Sequence, residues 1–320
     1  MILSILAALI PAIIYGIIFY WIDRHEREPI WLLTVAFLWG AVPAVFISLI
    51  GEIWLDVPLA RGFPNFSDAL ISGSIVAPIV EEVVKGAALL MIFLFKRQEF
   101  DGPLDGVVYG AMIGLGFGMT ENFFYFIDAA EAGGLSQLGL VIFLRAIIFG
   151  LNHACYTGLI GIGFGMARNT SHRNRLKRLG WPILGLCAAI IIHGLHNFGA
   201  STITYSALGL FISLLIAILA ILLLFITVML SWRFERICIS EELVGEIGYL
   251  LNADEYHQLT KSWSMPLRSR SKLAKAEAQR RHLLVELALH KHRLRQLGYH
   301  QEPELAAEVL HLRAQLSENS

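Results

Sequence analysis

Long apolar runs separated by short polar segments fill the first 231 residues of the chain. These runs reach or approach the roughly 20 apolar residues that an α-helix needs to cross a bilayer. The runs cover residues 2–22, 30–54, 69–95, 105–128, 138–167, 181–200 and 204–231. We therefore predict an all-α protein, in which a polytopic membrane bundle of about seven transmembrane helices spans residues 1–231.

The pattern changes after residue 231, where leucines recur among many charged residues. Residues 232–320 are predicted to form a cytoplasmic helical tail. Within it, Ser240 is predicted to begin one helix, and Gly298 is predicted to stop another that covers residues 267–297. A small helical domain fits this tail as well as a contact with a cytoplasmic partner or a second copy does.

Basic residues mark alternate loops of the predicted bundle. The loops after the first, third and fifth spans contain Arg24, Arg27, Lys96, Arg97, Arg168, Arg173, Arg175, Lys177 and Arg178. The loops after the second, fourth and sixth spans contain only Arg61. Because short loops rich in Lys and Arg stay in the cytoplasm, we predict an external N-terminus and a cytoplasmic C-terminus.

The composition agrees with a membrane protein, since 56% of the residues are hydrophobic and 16% are charged. The mean hydropathy is +0.62. A net charge of −1 gives no reason to expect a nucleic acid as a partner. The three cysteines, Cys155, Cys187 and Cys238, do not make a disulfide framework.

The stretch APIVEEVVKGAALL, residues 77–90, places three charged side chains inside a predicted span. An ionised side chain at the centre of such a helix costs about 2.5–3.5 kcal/mol on insertion scales, so these charges need partners. Lys85 follows Glu81 by four residues and Glu82 by three, so it shares a helical face with both. Pro78 is expected to disturb the hydrogen bonds of the preceding turn. The group is either a structural ion pair or part of a functional site.

Three other predicted spans also carry polar side chains at membrane depth. These are Glu121 and Asn122 in the fourth span, Arg145, Asn152 and His153 in the fifth, and His193, His196 and Asn197 in the sixth. Counting about 1.5 Å of rise per residue places one residue of each polar span roughly 10–22 Å from the outer surface. These residues are Glu81, Glu121, His153 and His193. Four helices therefore offer polar groups to one zone.

Acids, histidines and an amide in one zone are the groups that hydrolysis uses. A carboxylate can take a proton from water, and histidines can hold a metal ion or stabilise an oxyanion. Two other functions fit the same groups: an ion-coupled transporter, which relays protons through buried acids, and a membrane scaffold, in which they serve structure alone. Inverted repeats would favour the transporter, and inspection of the sequence finds none.

Small residues are spaced four apart in the predicted spans that carry these groups. Gly110 and Gly114 form one such pair, and Gly161 and Gly165 form another. Small residues at this spacing let helix backbones approach closely in a membrane. We therefore predict close packing of these spans around the polar zone.

Four motifs in order along these spans resemble those of the PrsW family of intramembrane proteases. They are EEVVK at residues 81–85, FGMTE at 117–121, LNHACYTG at 151–158 and HGLHN at 193–197. This family is similar to the CAAX prenyl endopeptidases and to other members of the Abi group. The resemblance covers residues 1 to about 231 and implies that this part is the protease domain.

The resemblance implies an intramembrane endopeptidase with named catalytic residues. These are Glu81, Glu82, His193 and Asn197. By similarity to the CAAX endopeptidases, Glu81 would activate water, while His193 and Asn197 would help to stabilise the oxyanion. Those relatives usually have histidine at the position of Glu121, so the metal chemistry stays open.

Two hypotheses for the metal remain. Members of the family are commonly called metalloproteases, yet the sequence contains no zinc-binding HExxH motif. In the first hypothesis, Glu121, His153 and His193 hold a zinc ion together with one water. In the second, Glu81 and Glu82 activate water without a metal.

The resemblance also implies a substrate class and a location. The substrate would be a membrane protein cut within or just outside the bilayer, for example an anti-sigma factor that receives its first cut. The location would be the bacterial inner membrane.

The predicted topology can be tested with reporter fusions. A reporter fused after Arg175 should be cytoplasmic, and one fused near Gly133 should be external, because the basic loops alternate in this way. Paired alkaline phosphatase and green fluorescent protein fusions would measure both positions. Opposite signals at both positions would contradict the topology and the depth assigned to the polar zone.

Overall fold

The computed structural model describes residues 1–23, 27–62, 68–96, 99–170, 174–203, 206–261, 272–298 and 303–318. Their α-helices are α1 (Ile2–Ile22), α2 (Ile30–Trp39), α3 (Val45–Gly62), α4 (Asp68–Ile71), α5 (Ala77–Phe95), α6 (Pro103–Ile142), α7 (Asn152–Arg168), α8 (Arg175–Thr202), α9 (Ala207–Leu243), α10 (Ala253–Lys261), α11 (Lys272–Leu297) and α12 (Pro303–Glu318). Turns of π-helix occupy Gly40–Ala44, Ser72–Val76 and Phe143–Ile148. The all-α prediction is confirmed for the described residues.

Five described stretches are long and apolar enough to cross a membrane. They are Ile2–Ile22, Ile30–Leu55, Pro103–Arg168, Arg175–Thr202 and Ala207–Glu246. The third stretch is 66 residues long and contains two of the predicted spans. Helix α5 is not among the five, because Glu81, Glu82 and Lys85 lie within it. The protein is a membrane helix bundle, and the number of seven spans stays a prediction. Of the basic loop residues, Arg24, Arg97 and Arg173 lie outside the described residues.

Two interruptions shape the stretch from Pro103 to Arg168. Gly134 has φ 65° and ψ −153°, a backbone conformation that favours glycine, and it separates the fourth predicted span from the fifth. The prediction of one continuous helix over residues 138–167 is wrong, because a π-helical turn and a bend precede α7. At the bend, the Phe149 N–H donates to the Leu144 carbonyl, and a side chain on Gly150 would collide with the Tyr15 ring.

Helices α6 and α7 pack backbone against backbone. A Cβ atom on Gly110 would lie 2.5 Å from the Thr157 carbonyl oxygen, and one on Gly114 would overlap the His153 carbonyl oxygen. The close approach predicted for Gly110 and Gly114 is therefore observed. Because both contacts involve the backbone of α7, they fix the register of α7 against α6.

The chain divides into two compact units. The first contains Met1–Ile22, Glu28–Arg168 and Leu179–Thr227, and the second contains Asp23–Arg27, Asn169–Arg178 and Val228–Ser320. The core of the first unit is formed chiefly by apolar residues of α2, α5, α6 and α7. Helix α9 continues through residues 231 and 232, where we placed the start of the tail.

The second unit has its own apolar core, to which Leu243, Leu284 and Leu316 contribute fully buried side chains. The predicted helix stop at Gly298 is confirmed, since this glycine has φ 90° and its N–H donates to the carbonyl of Leu294. Residues 267–271 of that predicted helix lie outside the described residues. The prediction for Ser240 is wrong, because α9 does not end before Leu243 and the Ser240 hydroxyl bonds within it.

Substitution of a contact glycine should destabilise the first unit. A methyl group on Gly161 would overlap the Gly106 carbonyl oxygen, whereas one on Gly139 would meet nothing within 4 Å. We expect Gly161→Ala to lower the free energy of unfolding by about 1–3 kcal/mol, and Gly139→Ala to change it little. Thermal unfolding of both purified variants in the same detergent would measure the difference. Equal melting temperatures would contradict the backbone contact.

Candidate active site

The ammonium group of Lys85 lies at the centre of the polar zone. Its Nζ donates hydrogen bonds of 2.9 Å to Glu81 Oε2 and 2.9 Å to Glu82 Oε1, and it lies 3.2 Å from His153 Nδ1. Lys85 is fully buried, with its Nζ 3.7 Å from the centre of the Phe117 ring, where a cation is attracted to the π-face. An ammonium group has three donors and no acceptor. All three donors are therefore used, and His153 Nδ1 is an acceptor.

The two adjacent carboxylates have different surroundings. Glu82 is fully buried: its Oε1 accepts from Lys85 and from His193 Nδ1 at 3.0 Å, and its Oε2 accepts from Thr157 Oγ1 at 3.2 Å. Glu81 keeps 5% exposure, and among the described residues only Lys85 donates to it. Glu81 therefore has capacity to accept a further hydrogen bond, and Glu82 has little.

Glu121 extends the network from the other side of His153. Its Oε2 accepts from Arg145 Nη2 at 2.7 Å and lies 2.7 Å from His153 Nε2. Because His153 Nδ1 accepts from Lys85, the ring proton is on Nε2 and points at Glu121. Arg145 also donates to the Asn122 side-chain oxygen at 2.9 Å. The contacts of Glu121 hold both the tautomer and the orientation of His153.

The ring of His193 is held on three sides. Its Nδ1 faces Glu82, its plane stacks on the Tyr156 ring at 4.7 Å and 19°, and the His153 ring meets it edge-on at 5.2 Å. No described residue hydrogen bonds to His193 Nε2. The Tyr156 hydroxyl is buried and has no hydrogen-bond partner among the described residues. The arrangement leaves one nitrogen of a fixed imidazole available for chemistry.

Asn197 contacts the backbone of the π-helical turn before Pro78. Its Nδ2 donates to the Gly73 carbonyl oxygen at 2.9 Å. Pro78 lacks an N–H, so the preceding turn cannot complete an α-helical hydrogen-bond ladder, and the disturbance predicted there is observed as the π-helical turn Ser72–Val76. Asn197 is four residues from His193, but in this structure it makes no hydrogen bond to the carboxylates.

The structure brings four of the predicted site residues together. One donor atom from each of Glu81, Glu82, His153 and His193 lies within 4.8 Å of the others. Two carboxylates and two imidazoles are ligands that zinc and similar divalent ions take, so this group could hold a metal ion. Glu121 is not a member of this group, and it reaches the group through His153.

Sequence reasoning missed three residues that contact the site: Phe117, Tyr156 and Thr157. Their spacing carries a signal, because Phe117 precedes Glu121 by four residues, and Tyr156 and Thr157 follow His153 by three and four. Residues three or four apart share a helical face. A search of the helical faces that hold the charged residues would have found them.

The segment of the chain that contains this site matches a known protein family. Residues 28–229 match the profile described as PrsW family intramembrane metalloprotease. Protease PrsW of Clostridioides difficile strain 630 is 30% identical over 196 residues, which are 60% of this chain and 77% of the relative. Protease PrsW of Bacillus subtilis strain 168 is 29% identical over 195 residues, which are 60% of this chain and 80% of the relative. No solved structure gives a significant match.

The coupling between Arg145 and Glu121 can be measured with a double-mutant cycle. Arg145→Met should lower the free energy of unfolding by about 1–3 kcal/mol, because it leaves a partly buried carboxylate without its cation. The double variant Arg145→Met/Glu121→Gln should recover part of this loss, with a coupling energy of at least about 0.5 kcal/mol. Reversible unfolding in mixed micelles would measure each variant.

An exposed arginine supplies the control for this cycle. Arg175 is exposed, and Arg175→Met should change stability by less than about 0.5 kcal/mol. Strictly additive effects of the Arg145 and Glu121 substitutions would contradict the ion pair.

Proposed function

This chain belongs to the PrsW family of intramembrane metalloproteases, and we propose that the buried group around Lys85 is the active site of the chain. The protein is an intramembrane protease, and its substrates are membrane proteins. The observation that carries the proposal is the convergence of Glu81, Glu82, His153 and His193 from three helices. Burying two acids inside an apolar bundle is costly, which favours a chemical role for them.

Glu81 is the proposed general base. Its carboxylate has a free acceptor site and retains some exposure, so a water molecule can bind to it. In this mechanism, Glu81 takes a proton from the water while the water oxygen forms a bond to the carbonyl carbon of the scissile peptide. When the tetrahedral species collapses, the C–N bond breaks and Glu81 returns the proton to the leaving amine. The carboxylate is then restored.

Glu82 and His193 are proposed to act together on the carbonyl oxygen. Glu82 accepts the hydrogen bond from His193 Nδ1 and fixes the ring, so that Nε2 has a defined direction. A protonated Nε2 would donate to the oxyanion, and an unprotonated Nε2 would be a metal ligand. Asn197 is proposed to assist with its second amide N–H, because the first is already donated to Gly73.

Zinc is the proposed metal, held by donors of Glu82, His153 and His193, while Glu81 stays the general base. A bound zinc ion would polarise the carbonyl and lower the pKa of a bound water to about 7. Glu121 is better suited to orient His153 than to ligate, since carboxylates commonly accept the second N–H of a ligand histidine. The metal-free alternative keeps the same base and uses Lys85 as the fixed positive charge.

The location and partners are part of the proposal. The alternation of basic loops supports an external N-terminus and a cytoplasmic C-terminus, and the membership of the family supports a location in the bacterial inner membrane. An anti-sigma factor with a membrane span is the first substrate to test. The helices α10, α11 and α12 are proposed to bind a cytoplasmic partner or a second copy.

Replacement of the proposed base should abolish cleavage without unfolding the protein. We expect Glu81→Gln to reduce turnover by about 10²–10⁴-fold, because glutamine cannot accept the proton, and His193→Ala to cause a similar loss. Glu131→Gln is the matched control, since Glu131 is an exposed acid of α6 outside the site. Cleavage of candidate membrane proteins by purified variants would measure the effect.

Wild-type turnover in Glu81→Gln would exclude Glu81 as the base. A parallel melting curve separates loss of chemistry from loss of fold.

A further inference from the structure

We infer that the Lys85 ammonium group and a metal ion compete for the same donors, so that a metal ion enters the group only when the Lys85 side chain withdraws. This inference deepens the proposed active site by adding a control of metal loading. It concerns the residues of this chain, and its test measures metal affinity without substrate.

The distances around Lys85 leave room for one cation. Nζ is 2.9 Å from Glu81 Oε2, 2.9 Å from Glu82 Oε1 and 3.2 Å from His153 Nδ1. These three residues are also members of the group whose donor atoms converge within 4.8 Å. Zinc binds carboxylate oxygens and imidazole nitrogens at roughly 2.0–2.2 Å, so an ion held by the same three atoms that contact Nζ would occupy the space that Nζ now fills. The two cations therefore exclude each other sterically.

The charge of the group leads to the same result. Glu81 and Glu82 supply two negative charges, and Lys85 already neutralises one of them in a fully buried position. A divalent ion balances both carboxylates by itself. Adding it beside the ammonium would leave excess positive charge at close range in a medium of low dielectric constant. The two carboxylates carry a net charge of −1 with the ammonium alone, zero with the divalent ion alone and +1 with both, so the neutral state is reached only when the ion replaces the ammonium.

Lys85 also determines whether His153 can act as a metal ligand. Its Nδ1 lone pair is engaged by Lys85, and its Nε2 proton faces Glu121, so neither nitrogen is free for a metal ion. Withdrawal of Lys85 would release Nδ1 while Glu121 continues to orient the ring.

Zinc titration of the detergent-solubilised full chain tests the inference. Lys85→Met and Lys85→Gln remove the competing charge, and both should bind Zn²⁺ at least tenfold more tightly than the wild type in isothermal titration calorimetry. Lys96→Met is the matched control, because Lys96 follows α5 and lies over the Trp31 ring, and its zinc affinity should equal that of the wild type. The visible absorption of Co²⁺-loaded protein gives a second readout of nitrogen and oxygen ligation.

Lys85→Arg keeps a permanent and larger cation, so it tests the inference even where the neutral variants fail to fold. It should bind Zn²⁺ more weakly than the wild type. Equal or weaker binding by neutral variants whose melting curves show them folded, zinc binding by none of the proteins, or equal or tighter binding by Lys85→Arg would each overturn the competition. Tighter binding by the neutral variants, combined with wild-type cleavage by Glu81→Gln, would keep the competition and reject the proposed base.

Discussion

The buried ion group formed by Glu81, Glu82 and Lys85 is the interaction on which the first unit depends. Three charges within an apolar bundle are tolerated only if each has partners, and removing one partner of a buried pair costs about 3–5 kcal/mol. Helix α5 supplies the pair of acids and the lysine, but the remaining donors come from elsewhere. Thr157 on α7 and His193 on α8 both donate to Glu82. The charge group therefore determines how α5, α7 and α8 must be placed.

The glycine contacts between α6 and α7 make this placement possible. Gly114 lies against the His153 carbonyl, and a Cβ on Gly118 would lie 3.0 Å from the His153 ring. Larger residues would push α7 outward and lengthen the 3.2 Å contact between His153 and Lys85. Small residues in α6 and charged residues in α5 thus maintain the same placement of α7. The packing and the chemistry of this unit cannot be changed independently.

Helices and the polar zone could be predicted because both depend on local patterns, such as the apolar runs and the spacing of Glu81 and Lys85. The contacts that define the site could not, since Lys85 meets His153 across 68 positions and Glu82 meets His193 across 111. Hydropathy does not distinguish a π-helical turn from an α-helical one. The donation from Asn197 to Gly73 and the bend before α7 were therefore invisible in the sequence.

Adjacent acids on one helix differ in direction by about 100°, so they necessarily face different surroundings. Here, Glu82 accepts hydrogen bonds from α7 and α8 and is saturated with donors. Among the described residues, Glu81 accepts a hydrogen bond only from Lys85, which also donates to Glu82. Two saturated acids would leave no carboxylate for a water molecule. Two unsaturated acids would leave the helix with charge that it could not bury. One lysine shared between a saturated and an unsaturated carboxylate meets both requirements, which gives a physical reason for two glutamates in succession followed by a lysine one turn later.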